Sequence, residues 1–245
     1  SVIVRCVAGG FTRAASREAQ ARTLRYGALL DVARERRACF VLTAHHADDV
    51  AETALLALAR GSGLDGLSAI APRRVLGSVS AGHQIVMLAR PLLFATRAEL
   101  QTWLSAHPVR TSLDETNEDT SIRRNAVRRL LAQMEDAAPG TRRNIARAAG
   151  LLRGDRAMLD RVAQRAFERS VATRHKHALA VRELRSLPRP LLRSVVRLAL
   201  RQAVGSTRGF SRLQCESIIS AIKRGRGGTY QAGDARVPVS YTHLR

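Results

Sequence analysis

The feature that most constrains this chain is a junction between a short apolar run and a polar helix start. Ala38-Cys39-Phe40-Val41-Leu42-Thr43 carries no charge. A continuous apolar run of that length, bounded by polar sequence, reads as a strand of the buried type. Directly behind it, residues 47–60 place apolar side chains at helical spacing, and Gly61-Ser62-Gly63 ends them. A buried strand that passes at once into a helix is a unit of an α/β fold with a parallel sheet.

The remaining sequence up to residue 138 repeats that alternation. Residues 14–36 read as a helix, and Gln84 to Ala89 as a second strand. Thr96 begins another helix, with Glu99 three positions on completing a capping-box pattern. Residues 121–134 read as a helix with Ile122, Ala126, Val127, Leu130 and Met134 on its apolar face. Beyond Ala137-Ala138-Pro139-Gly140 the pattern changes. Ile145, Ala148, Leu152, Leu159, Val162 and Ala166 recur at helical spacing, and two shorter helices follow near 189–203 and 211–224. Gly225, Gly227 and Gly228 then release the chain into a strand-like tail.

Charge divides at the same place. Residues 1–138 hold 18 basic and 14 acidic side chains, whereas residues 139–245 hold 23 and 6. The expected organisation is a partial, doubly wound α/β domain over 1–138 and a basic helical domain over 139–238. Residues 239–245 read either as a C-terminal strand or as a translated sequencing adapter. A net charge of +21 favours a polyanionic partner, nucleic acid first. All but Lys176 and Lys223 of the 41 basic residues are Arg, so a GC-rich genome accounts for part of the excess.

Cys6, Cys39 and Cys215 form no C-x-x-C pair, which leaves a disulfide scaffold, a zinc ribbon and a cysteine-held cluster without support. No apolar run approaches bilayer length and no signal peptide opens the chain, so a cytoplasmic protein is expected.

The chemistry concentrates in Thr43-Ala44-His45-His46-Ala47-Asp48-Asp49-Val50-Ala51-Glu52-Thr53. Ligands of open α/β sheets bind beyond the carboxyl ends of strands, where this segment begins. A helix starting at His45 would put His45, Asp49 and Glu52 on one face. Such a group can hold a substrate ammonium, or Mg²⁺ beside a nucleotide, while the imidazole contacts a phosphate or moves a proton. The bland alternative is an exposed helix start with acids near its positive end, and Asp48 fits that equally well. No further His or Cys completes a zinc site.

The run from Ala44 to Leu67, A-H-H-A-D-D-V-A-E-T-A-L-L-A-L-A-R-G-S-G-L-D-G-L, resembles the signature segment of the tRNA(Ile)-lysidine synthases. These belong to the PP-loop ATP pyrophosphatase superfamily, with an adenine nucleotide alpha hydrolase-like sheet. Glu18 to Tyr26 (E-A-Q-A-R-T-L-R-Y) resembles the family's preceding helix, and Arg90-Pro91-Leu92-Leu93 its R-P-L-L turn. Asp114-Glu115-Thr116-Asn117-Glu118-Asp119, with Arg124-Asn125 and Arg128, resembles its D-x-[ST]-N-x-D…R-N-x-x-R segment. Four motifs in order are far more specific than any one.

The resemblance implies an activity. ATP adenylates the C2 oxygen of the wobble cytidine of an isoleucine tRNA, and the ε-amine of free L-lysine then displaces AMP to give lysidine. It further implies His45, Asp49, Glu52 and Arg124 as catalytic residues, and Arg25, His45 and Asp48 as nucleotide-binding residues, with ATP and Mg²⁺ as cofactors. The tRNA, bound by its anticodon loop, would meet the basic half at Arg142, Arg143, Arg147 and Arg153. The family's Ser-Gly-Gly-x-Asp-Ser phosphate loop is not among these residues, and Ala8-Gly9-Gly10 is not that loop. The expectation is therefore a piece of a longer enzyme, inactive alone. Competing readings are that Arg25 flanks a helix, that Arg124 pairs with Glu118 or Asp119, that Asp114 is an N-cap and that Asn117 is a turn residue. At the level of function the alternatives are a non-catalytic basic RNA-binding module and a PP-loop tRNA thiolase, the latter lacking paired cysteines here.

Overall fold

A computed structural model describes residues 17–79, 84–107, 109, 123–171, 179–204, 211–225, 228–232, 235–239 and 243–244. Cys6, Ala8-Gly9-Gly10, the Asp114–Asp119 segment and Ile122 lie outside them. The chain forms two compact units, Ser1–Arg153 and Gly154–Arg245.

The first unit is built on a three-stranded sheet in the order β1-β3-β2, from β1 (Phe40–Leu42), β2 (Arg73–Val79) and β3 (Gln84–Ala89). β1 and β3 run parallel, with Val41 opposite Leu88, as the α/β reading anticipates. β2 was not foreseen and runs antiparallel to β3. The sheet is therefore mixed rather than purely parallel. The cause is chain length: too few residues separate β2 from β3 for a crossover helix, so they pair as neighbours. The register slips between Val75 and Gly77, where a Cβ on Gly77 would lie 2.5 Å from a Leu30 methyl. A glycine here lets the sheet meet helix α1 (Arg17–Glu35) closely.

Tyr26 and Ala33 of α1 pack with Val41, Val86 and Leu88 to form the core of this unit, joined by Leu29, Leu30, Ala38 and Leu76. α2 (Ala47–Ala59) follows β1, and Gly61 then takes a positive φ of 66°, which explains the glycine at that stop. A short α3 (Leu64–Leu67) comes next. α4 (Arg97–Ala106) opens with the expected capping box, in which Thr96 Oγ1 accepts the Glu99 N–H at 3.3 Å and Glu99 Oε2 accepts the Thr96 N–H at 2.8 Å. α5 (Arg123–Ala137) packs on α2.

α6 (Thr141–Ser170) begins where the sequence places a breaker cluster, and Gly140 has a φ of 87°. The second unit contains the rest of α6, α7 (Val181–Ser186), α8 (Arg189–Val204) and α9 (Arg212–Arg224). Its core is Ala163, Ala166, Leu184, Leu192, Val195, Val196, Leu200, Ile218, Ile219 and Ile222 with their neighbours. A second sheet has the order β4-β7-β6-β5, from β4 (Leu179–Ala180), β5 (Gly228–Ala232), β6 (Ala235–Val239) and β7 (His243–Leu244). α7 and β4 go beyond what the reading of the second half expected, whereas β5 and β6 fall in its strand-like tail.

Candidate active site

The site grows from the exit of β1. The Thr43 N–H donates to the Ala89 carbonyl at 3.0 Å, holding that exit to the end of β3. The Ala47 N–H donates to the Ala95 carbonyl at 2.8 Å, fixing the first turn of α2 against the segment after Arg90-Pro91-Leu92-Leu93. α2 starts at Ala47 with an extended His46 as N-cap. His45 therefore precedes the helix and does not share its face with Asp49 and Glu52, as a start at His45 would require. The reason is local: Asp49 Oδ2 accepts the His46 N–H at 3.0 Å, which caps the helix two residues later.

Asp49 and Glu52 do meet. Both reach Arg124 of α5, with Arg124 Nε at 2.7 Å from Glu52 Oε2 and Arg124 Nη2 at 3.2 Å from Asp49 Oδ1. Glu52 Oε1 accepts Arg128 Nε at 2.7 Å, and Arg128 Nη1 donates to Asn125 Oδ1 at 3.2 Å. Glu52 is only 4% exposed, so its two guanidinium partners offset the cost of burying its charge. Arg124 pairs across the fold with Glu52 and Asp49, while Glu118 and Asp119 lie outside the described residues.

Asp48 is a tie rather than an exposed helix-start acid. Its Oδ1 accepts Arg142 Nη1 at 2.7 Å, and its Oδ2 accepts the Arg97 N–H at 2.8 Å. His46 Nδ1 stands 3.5 Å from the same Oδ2. Burial alone would raise the Asp48 pKa, but these donors outweigh it and hold the carboxyl well below the ordinary range. The Asp48 contact raises the His46 pKa.

His45 Nδ1 lies 2.9 Å from Thr43 Oγ1. Burial, with Arg90, Arg22 and Arg124, lowers its pKa to about 4 against the opposing pull of Asp49. The imidazole is neutral at physiological pH, able to accept or donate one hydrogen bond on each nitrogen. Beside it is a cationic cluster around Tyr26. Arg22, Arg25 and Arg74 place their guanidinium carbons 5.0, 5.7 and 4.8 Å from the ring centroid. Arg90, 4% exposed, donates Nη1 to the Ala71 carbonyl at 2.6 Å, while its buried Nε has no hydrogen-bond partner among the described residues. An orphaned guanidinium nitrogen among three further guanidinium groups suits phosphate oxygens. Arg25, expected from the sequence to bind nucleotide, stands in this cluster. Arg22 and Arg90 lay inside quoted motifs without being singled out, as did Arg128. Arg74 had no signal, since its strand was not anticipated.

The four arginines expected to meet RNA behave differently from one another. Arg142 is held by Asp48, and Arg153 Nη1 donates to the Ser68 and Ile70 carbonyls at 2.9 and 2.6 Å. Arg143 pairs with Glu99, and Arg147 reaches Asn144 Oδ1 at 3.0 Å on the surface. For a resident Mg²⁺ the fit is poor. Asp48, Asp49 and Glu52 are occupied by Arg and backbone donors, and among the described residues no group of three His, Cys, Asp or Glu is placed to hold a metal ion.

Residues 2–135 match the family model described as the PP-loop domain. This chain belongs to the PP-loop family. Its family segment contains β1, α2, the arginine cluster and the Asp49–Glu52 pair. The chain is 39% identical over 180 residues to the tRNA(Ile)-lysidine synthase of Ralstonia nicotianae, covering 74% of this chain and 37% of that protein. It is 39% identical over 193 residues to the protein of that name in Geobacter sulfurreducens, covering 78% and 39%. It is 34% identical over 225 residues to the one in Salinispora arenicola, covering 90% and 65%. The chain thus spans well under half the length of the first two relatives.

Proposed function

We propose that this chain carries the lysine-handling site of an ATP-dependent ligase that forms lysidine at the wobble cytidine of an isoleucine tRNA. The observation that carries the reading is a juxtaposition. Asp49, one of two carboxylates on one turn of α2, and Arg22 and Arg90 of the arginine cluster all act electrostatically on a neutral His45. Names borne by relatives at 34–39% identity support the same reading.

In this proposal the lysine ammonium enters at Asp49. That carboxylate is the more open of the pair, and its 3.2 Å contact with Arg124 is longer than the 2.7 Å contact of Glu52. Glu52 keeps Arg124 and Arg128 in place. The nucleotide's phosphates face Arg22, Arg25, Arg74 and Arg90. ATP supplies the adenylyl group that turns the cytosine C2 oxygen into a leaving group, and pyrophosphate departs. The lysine ε-amine, once deprotonated, attacks C2 and AMP leaves. His45, held uncharged at neutral pH, is suited to hydrogen-bond a phosphate, while its lowered pKa makes it a weak base for that proton. Mg²⁺ would come with the nucleotide. Asp48 acts by fixing the first turn of α2 rather than by touching substrate. In this proposal an α/β part spans 1–138, and a basic helical part over 139–238 meets the tRNA. No described helix is long and apolar enough to cross a membrane, and we place the reaction in the cytoplasm.

The test is single-turnover incorporation of labelled lysine into isoleucine tRNA, run beside pyrophosphate release, with Asp49→Asn in the enzyme that also carries the family's phosphate loop. Asp49 is chosen because changing Glu52 strands two guanidinium groups. A charged hydrogen bond is worth roughly 1.5–3 kcal/mol, so lysine use should fall about ten-fold or more, with a smaller loss in pyrophosphate release. Unchanged lysine dependence would sink the assignment.

A further inference from the structure

The loop 68–72 joins α3 to β2, and two arginines hold four of its carbonyls. Arg153 Nη1, from α6, donates to the Ser68 and Ile70 carbonyls at 2.9 and 2.6 Å. Arg90 Nη1 donates to the Ala71 carbonyl at 2.6 Å, and the Arg90 N–H donates to the Pro72 carbonyl at 2.9 Å. Between the first two carbonyls stands Ala69 with a φ of 48°, in the left-handed region that an alanine seldom enters. A turn there lets the carbonyls on either side converge on one guanidinium nitrogen. Ser68 is buried, and its N–H and Oγ both donate to the Leu64 carbonyl, so the loop is tied to α3 at its start.

Stability by itself does not call for an arginine at 153. The side chain is half-buried, and burial lowers its pKa. Among the described residues no carboxylate pairs with it, so a charge leaves water without an opposite charge to meet it. For packing alone, an apolar side chain of similar length would fill the same place at less cost. What the guanidinium adds is geometry, because two hydrogen bonds to carbonyls two residues apart fix a turn that its own sequence disfavours. The far end of the loop meets the arginine cluster twice. Ala71 and Pro72 hold Arg90, which is 4% exposed and whose Nε is unpartnered among the described residues. Two residues after Pro72, Arg74 of β2 brings its guanidinium carbon to 4.8 Å from the Tyr26 ring centroid.

We propose that Arg153 is a positioning residue, which clamps the loop 68–72 and thereby holds Arg90 and Arg74 where they receive an anionic phosphate chain. It touches no substrate itself. The proposal rests on the reading that the cluster around Tyr26 takes the nucleotide's phosphates, and it names a further residue on which that site depends.

Two measurements test it on Arg153→Gln and on Arg153→Met, which keeps the packing. Arg153→Lys is the conservative variant, and Arg36→Gln, at an exposed site, is the charge-matched control. The first measurement is an NMR titration of isotope-labelled histidine in this chain, with the His45 signal identified by its loss in His45→Gln. The wild-type midpoint lies at about 4, set by burial first, then by Asp49 in the opposite sense and by Arg90, Arg22 and Arg124. As Arg90 moves away, the midpoint should rise in Arg153→Gln and Arg153→Met, stay in Arg36→Gln, and lie nearer the wild type in Arg153→Lys. The second is the ATP dependence of pyrophosphate release, in the enzyme that also carries the family's phosphate loop. The KM for ATP should rise about ten-fold in Arg153→Gln. The kcat should change far less, because the loss is of binding common to the ground and transition states, and Arg153→Lys should recover most of it. A His45 midpoint unmoved in both Arg153→Gln and Arg153→Met would overturn the clamp while leaving the lysidine reading in place. A raised midpoint with an unchanged KM would support the clamp and overturn the nucleotide reading of the cluster. Equal falls in kcat and kcat/KM in all three Arg153 variants, Arg153→Lys included, would overturn positioning in favour of a general loss of fold.

Discussion

Two adjacent histidines at the exit of β1 have opposite electrostatic fates, and backbone geometry separates them. His46 caps α2 and faces Asp48, which raises its pKa. His45 stands one residue earlier and is pushed down to about 4, by burial first and then by Arg90, Arg22 and Arg124, with Asp49 pulling the other way. For His45 the folded pKa lies below the unfolded value near 6.5. Between the two values the unfolded chain binds more protons, so stability is fully present above about pH 6.5 and declines as pH falls towards 4. Replacing His45 with Gln should flatten that part of the curve while leaving the neutral-pH plateau. Thermal midpoints of both proteins over this range check it, and an unchanged slope in the variant would assign the proton uptake elsewhere. The same depressed pKa keeps the imidazole uncharged where the proposed chemistry runs.

At the scale of elements, the helix ends do most to orient the charged side chains. α2 is aimed by Asp49 at its cap and by Asp48 across to the Arg97 N–H of α4. One acid therefore organises its own helix while the next organises its neighbours. α9 is bounded as sharply. Ser211 Oγ accepts the Gln214 N–H at 3.1 Å, and Gly225 closes the helix with a φ of 66°. An L side chain rarely adopts that conformation, and a Cβ there would lie 3.2 Å from Arg185 Nη1. Gly225→Ala should cost about 1 kcal/mol, measured as a lower denaturant midpoint with an unchanged slope. Because α9 supplies Glu216 to Arg189 and Arg193 of α8, the same substitution probes how firmly those two helices are held together.

For the whole molecule, the sheet of the first unit is covered on one side and, among the described residues, open on the other. Val41, Val86 and Leu88 face α1, whereas Phe40, Leu42, Val75 and Ile85 are each more than half exposed on the opposite face. A contiguous apolar patch of this kind binds apolar probes. Leu42→Ser with Ile85→Thr should lower the fluorescence of an environment-sensitive dye such as ANS and move stability by no more than about 0.5 kcal/mol. Undiminished dye binding would place the apolar surface elsewhere.

The sequence alone determined the elements whose information is local. Apolar period marked β1, β3 and the long helices, while Thr96 with Glu99 and Gly61 marked ends, because caps and turns depend on neighbours within a few residues. It also brought Asp49 and Glu52 together, since residues three apart on a helix must be adjacent. Only the tertiary structure decided what those carboxylates hold. Arg124 and Arg128 lie more than 70 residues away, and although the R-N-x-x-R segment marks them, nothing in it names Asp49 and Glu52 as their partners. Asp48 looked like a helix-start acid until Arg97 and Arg142 converged on it. β2 was missed because Arg73-Arg74-Val75-Leu76-Gly77 lacks clean alternation and gains its stability from pairing with β3. Arg142 and Arg153 read as surface cations, yet both are used up internally. A guanidinium's partner is set by which backbone and side-chain oxygens the fold brings within about 3 Å, and no spacing rule in the sequence encodes that.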